Sequence, residues 1–250
     1  MARSTLAQFF DTSAGAQLHR WEAAQMDALM STLSGDSALQ IGAPYAKCLR
    51  SAPHAFKAVV SADASELALS HYDVNLLGDA HALPFPEGSF DLVVLMHALD
   101  LCENPALVLN EAIRVLAPMG RLVILGFNPW GPWWYRRKEV LLGKDCPIHP
   151  VSVPWVKSSL GADCVIDRGR FGIYSPSLSE NPNTLARWRW VEKAGDRWWP
   201  ALANAYMLSG IKKVDKMTLV GKIAQKYQAM GEWVKAPAVA EGAHREVTKI

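Results

Sequence analysis

The chain has 250 residues, half of them apolar, which is enough for one large core, and a small net charge of +2. No run approaches the roughly 20 consecutive apolar residues of a membrane span. The longest run, 92–101, is interrupted by His97 and Asp100, and the first residues lack the apolar core of a secretory leader, so a cytoplasmic protein is expected. Cys48, Cys102, Cys146 and Cys164 are scattered, as free thiols are, and the single Cys146–His149 pair has no companion pair, so no metal site is expected.

Taken in chain order, residues 12–33 read as a helix. Thr12 or Ser13 can cap it, and Met26, Leu29, Met30 and Leu33 repeat at helical spacing behind Leu18 and Trp21. Gly35-Asp36 ends that pattern. Short apolar runs follow at 38–42, 58–62, 73–77, 90–97 and 121–127, the texture of parallel strands buried on both faces. Between the last two, Asn104 and Pro105 start an amphipathic helix that runs to Leu116, and Pro118-Met119-Gly120 turns the chain into the next strand. A short helix over 152–160 and two further strands, near 164–176 and 204–214, complete the reading. Alternating strands and helices imply right-handed crossovers and a doubly wound, mostly parallel α/β sheet of seven strands. The expected organisation is an N-terminal helical segment (1–37), an α/β domain (38–229) with lid segments at about 128–150 and 176–200, and a flexible tail (230–250).

Residues 76–129 closely resemble the core of the type 11 class I S-adenosylmethionine-dependent methyltransferases. The matching elements are Asp79-Ala80, Leu83-Pro84-Phe85, Ser89-Phe90-Asp91, His97, 114–118 (RVLAP) and Gly120, in the family's order and spacing. The resemblance implies a Rossmann-like fold and S-adenosylmethionine as cofactor. Such sheets bind ligands beyond the carboxyl ends of their strands, where strand order reverses. By resemblance, Asp63 would accept hydrogen bonds from the ribose hydroxyls, Asp79 would take the adenine amino group, Ala80 would face the ring, and His97 would line the crevice. Asp63 can equally cap the following helix, and Asp79 can make a turn.

The first loop departs from the family pattern of an acid followed by three alternate glycines. Gln40 stands for the acid, Gly42 is kept, and Pro44 and Ala46 replace the other two glycines. Gln40 can still offer its amide oxygen to the cofactor ammonium. A similarly worn loop beside an intact later half characterises a YafS-like bacterial branch, which this chain resembles.

The two halves differ in charge. Residues 1–125 carry 7 basic and 13 acidic side chains (−6), residues 126–250 carry 19 and 11 (+8), and eight of the ten tryptophans lie between Trp130 and Trp199. Those tryptophans can fill the core of a lid. Interleaved with arginine, they can also contact RNA or an anionic membrane surface. The leading expectation is methyl transfer to a small-molecule, anionic or amphipathic acceptor, with no catalytic residue assignable; His97 and Tyr135 are only candidates for proton removal. The alternative is a non-catalytic relative that serves as an RNA-binding or scaffolding module.

Overall fold

In strand β4 (Phe90–Met96) successive side chains alternate between two cores, and this alternation organises the molecule. Leu92, Val94 and Met96 join one apolar cluster, while Val93 and Leu95 join the other. The computed structural model describes residues 5–68, 70, 72–134, 148–175, 195 and 198–214. The expected tail and most of both lid segments, including Tyr135 and Cys146, lie outside the described residues.

Seven strands form one sheet in the order β3-β2-β1-β4-β5-β7-β6. The others are β1 (Ser37–Ile41), β2 (Phe56–Ser61), β3 (Val74–Leu77), β5 (Leu116–Phe127), β6 (Cys164–Gly172) and β7 (Ala205–Lys212). Strands β1 to β5 pair in parallel, and β7 runs antiparallel to both neighbours. The sheet is therefore α/β, doubly wound and mostly parallel. Strand order reverses between β1 and β4, each the start of a run in opposite directions.

Helices α1 (Thr5–Phe10) and α2 (Ser13–Met30) cover one face. Thr12 caps α2 by accepting the Gly15 N–H at 3.1 Å, and Leu18, Met26, Leu29 and Met30 bury against Ala38, Val94, Val123 and Leu125. The other face is covered by α5 (Pro105–Val115) and α6 (Val153–Leu160), through Val108, Leu109, Ala112, Val156 and Leu160. The short helices α3 (Ala64–Leu67) and α4 (Ala98–Leu101) follow β2 and β4. Among the described residues no helix is long and apolar enough to cross a membrane.

Two connections lack the helix that usually bridges parallel strands. Between β1 and β2 there is only a 3-10 turn, Pro44–Ala46, flanked by Ala43 and Lys47 in the left-handed region (φ 40° and 48°). Between β3 and β4 the chain runs as a loop held by one ion pair of α5. Glu111 accepts the Leu83 N–H, and Arg114, bonded to Glu111, donates to the carbonyls of Leu83 and Phe85. That staple explains why the 83–85 segment and Arg114 occur together.

The turn expected at 118–120 is absorbed into β5. Phe90 pairs with Leu116 and Leu92 with Arg121, so residues 117–120 loop out opposite Asp91, with Met119 at φ 63°. At the far end, Lys212 of β7 donates to the carbonyls of Ile113 and Leu116, satisfying groups that the last turn of α5 leaves without helical partners.

Candidate functional site

A cleft of about 490 Å3 opens at the carboxyl ends of β1, β2 and β3, next to the point where strand order reverses. Its walls include Ile41, Gly42 and Ala43 after β1, Ser61, Ala62, Asp63 and Glu66 around α3, and Gly78, Asp79, Ala80 and His81 after β3. Ala98, Leu101, Cys102 and Glu103 of the α4 region close the other side, with Leu6 and Ile148.

The two aspartates sit on neighbouring strand ends. Asp63 caps α3, its Oδ1 accepting from Ser65 N at 2.8 Å and Ser65 Oγ at 2.6 Å; these bonds, the side-chain one foremost, hold its carboxyl below the usual aspartate range. Asp79 makes a turn, its Oδ1 accepting the His81 N–H at 2.9 Å and lying 2.6 Å from His81 Nδ1, and its carboxyl is likewise held low. A carboxylate offers about four acceptor sites, so the cap and the turn leave both aspartates able to take a ligand donor. Capping and cleft-lining coexist at these residues.

Gln40 and His97 were expected at the cleft, but the structure places both behind its wall. The Gln40 side chain is fully buried and its amide is saturated. Nε2 donates to the carbonyls of Gly42 (3.1 Å) and Ala43 (2.8 Å), and Oε1 accepts from Cys48 N (3.2 Å) and the Tyr72 hydroxyl (2.9 Å). Gln40 shapes the loop from beneath and has no group left for a ligand. The substitution has a physical reason, since an acid here would set one of its oxygens against two carbonyls.

His97 is also fully buried, at φ 53°, one residue before the cleft-lining Ala98. Its Nδ1 lies 3.0 Å from Asp100 Oδ2 and its Nε2 2.9 Å from Glu22 Oε1 of α2. Burial alone would lower its pKa, but the two carboxylates override that and push it up to about 9. Asp100 further accepts the N–H groups of Phe127 and Val151, joining the ends of β5 and the segment before α6 to the cleft wall.

The first loop leaves the cleft open. Gly42 and Ala43 reach the wall, whereas Pro44 and Tyr45 do not line it, and the Tyr45 ring turns toward Phe10 at 5.5 Å between centroids. Gly42 has φ 80°, and a Cβ there would lie 2.8 Å from the Met96 carbonyl oxygen. Gly42→Ala is therefore expected to cost about 1–3 kcal/mol in urea unfolding and to distort the cleft floor.

The sequence reading missed Glu66, His81, Cys102 and Glu103. Glu66 is buried and accepts from Ser61 Oγ at 3.3 Å. Its signal was only its place in the first turn of α3. Together these residues give the cleft four carboxylates (Asp63, Glu66, Asp79, Glu103) and no lysine or arginine among its described lining. No group of metal-ligating side chains is found among the described residues.

A seven-stranded sheet with an antiparallel β7 between β5 and β6, and with acid-tipped strands beside the switch point, defines the class I methyltransferase fold. Residues 39–124 match the family model described as a methyltransferase domain. The chain is 40% identical over 76 residues to the uncharacterized protein YafS of Escherichia coli K12, covering 30% of this chain and 32% of that one. It is 31% identical over 122 residues to the ubiquinone/menaquinone biosynthesis C-methyltransferase UbiE of Paraburkholderia xenovorans, covering 48% and 45%. The chain thus spans less than half the length of these curated relatives. The solved N-methyltransferase NodS of Bradyrhizobium japonicum, in complex with S-adenosyl-L-homocysteine, shares the fold with a TM-score of 0.55 at 14% identity, over 83% of this chain and 91% of that one.

Proposed function

We propose that this chain binds S-adenosylmethionine in the cleft beside Asp63 and Asp79 and transfers its methyl group to a small-molecule acceptor in the cytoplasm. The observation that carries the reading is the sign of the cleft. Four carboxylates and no described lysine or arginine suit a cationic nucleoside and repel the pyrophosphate of a dinucleotide. Asp63 would hold the ribose hydroxyls, Asp79 the adenine amino group, with Ala80 against the ring and the Gly42–Ala43 backbone beside the methionine part. The sulfonium supplies an activated methyl group, so the protein's task is to align donor and acceptor and to exclude water.

For the acceptor, the UbiE likeness favours a carbon nucleophile of an amphipathic ring compound. Trp130, Trp198 and Trp199 are exposed, and the basic second half of the sequence suits an anionic or amphipathic partner. Low-salt binding to anionic vesicles or RNA tests that preference, and binding to neither removes it.

A second reading is favoured by the helix-free crossover after β1 and the Gln40 clamp: a methyltransferase fold retained as a scaffold or RNA-binding module. Calorimetry separates the two. The enzyme reading expects S-adenosylmethionine to bind with a micromolar dissociation constant and NAD not to bind. Absence of heat with S-adenosylmethionine favours the scaffold.

A further inference from the structure

Glu22, His97 and Asp100 form a charged cluster that is wholly buried, each at most 1% exposed. Its hydrogen bonds fix its charge. The imidazole joins two carboxylates, one at each nitrogen, and two protons serve those two bonds. Whether the shared proton sits on His97 Nε2 or on Glu22 Oε1, the three groups together carry −1. Asp100 meets only donors, namely His97, Phe127 N and Val151 N, so it is the ionised member. Among the described residues no lysine or arginine pairs with either carboxylate, and Glu22 Oε2 is buried without a hydrogen-bond partner.

An uncompensated buried charge is costly unless something meets it. The cluster lies directly under one end of the cleft. His97 falls between Met96, whose carbonyl Gly42 approaches, and Ala98, which lines the wall beside Gly42. That is the end where the first loop carries Gln40 in place of an acid.

We infer that the Glu22–His97–Asp100 cluster sets a negative charge behind the wall and makes the cleft favour the sulfonium cofactor over its neutral thioether product. The inference rests on the S-adenosylmethionine reading of the cleft. It makes Glu22, on a helix that precedes the matched domain, a specificity-determining residue that touches no ligand atom.

The test compares dissociation constants, by calorimetry, for S-adenosylmethionine and S-adenosylhomocysteine. Both carry the same amino acid and nucleoside, so the ratio of their affinities isolates the sulfonium charge. In Glu22→Gln the glutamine oxygen accepts from an imidazole that stays protonated against Asp100, the cluster becomes neutral, and the ratio is expected to move toward the thioether by about tenfold. Glu22→Asp keeps the charge and is expected to leave the ratio unchanged even where both affinities drop. Equal loss of both ligands in Glu22→Gln, or no change, overturns the inference. A parent chain that binds neither ligand removes the cofactor reading and this inference with it.

Should the glutamine variant not fold, the parent carries the test through pH. Burial holds the Asp100 carboxyl above the ordinary range, whereas Asp63 and Asp79 are held below it and stay ionised. The affinity ratio is therefore expected to fall as pH is lowered and the cluster takes up a proton. The other described groups facing the cluster are Tyr206 of β7 on the Asp100 side and, around Glu22, His19 and Asp27 of α2 with Tyr45, Lys47, Cys48 and Arg50 of the first loop region. Burial raises Cys48 and Tyr206, so both stay protonated as pH is lowered. The series is repeated in His19→Gln and His81→Gln, which remove the neighbouring and the cleft histidine. A ratio that stays flat in all three overturns the inference.

Discussion

Asp63→Ala is expected to weaken S-adenosylmethionine binding by roughly ten- to a hundredfold, the scale of losing charge-assisted hydrogen bonds to a ligand. Two effects combine in that variant, because Asp63 also caps α3 through Ser65. Loss of a cap costs about 1 kcal/mol of stability. Asp63→Ser separates them: a serine at the cap position keeps the α3 start but cannot accept from two ribose hydroxyls through a carboxylate. The serine variant should melt near the parent and bind like the alanine variant. A serine variant that binds like the parent would reduce Asp63 to its capping role. Asp79→Ala is the companion change on the neighbouring strand end, and its loss should fall on ligands that carry the adenine amino group.

The second large effect is expected from restoring the family's usual acid. Gln40→Glu removes both N–H donors to the carbonyls of Gly42 and Ala43 and puts a second oxygen in their place. Each carbonyl left unpaired in a buried site costs about 1–3 kcal/mol, so a loss of about 2–6 kcal/mol in urea unfolding is expected. Burial disfavours the ionised carboxyl, so the folded state would hold a proton there that the unfolded chain releases at neutral pH. The penalty should therefore shrink as pH falls toward 5, the reverse of an ordinary surface carboxylate. An unchanged stability at pH 7 would mean that the loop adopts another shape, with the amide not holding it.

The same residue shows what the sequence could and could not disclose. The apolar runs located β1 to β5, and Asp63 and Asp79 were legible because each follows such a run and so falls at a carboxyl end. Strand parity held information about Gln40. Positions 38 and 40 share a face of β1, and Ala38 packs in the cluster under α2, so the amide faces inward beneath the loop and away from its crest. His97 was harder to read. Asp100, three residues on, was its only local signal, and Glu22 is 75 residues away, a pairing made only by the tertiary fold. β3 was read as buried on both faces, yet it lies at the sheet edge with Leu77 63% exposed, because no described strand follows it on that side. The loop-out at 117–120 was signalled by Pro118 and Gly120, but its place within β5 depended on the register against Phe90 and Leu92.

β7 comes last among the described strands yet lies between β5 and β6, and its Lys212 closes the end of α5. During synthesis, a chain that has emerged only as far as β6 presents β5 with a row of unpaired amides and carbonyls, and β6 has no neighbour at all. The cleft strands β1 to β4 can by then be assembled, so the nascent protein passes through a stage with a formed pocket and an unfinished sheet. For that interval its exposed edge is a template for the wrong strand, and the ribosome's progress over the final forty or so codons of the described region sets how long the exposure lasts.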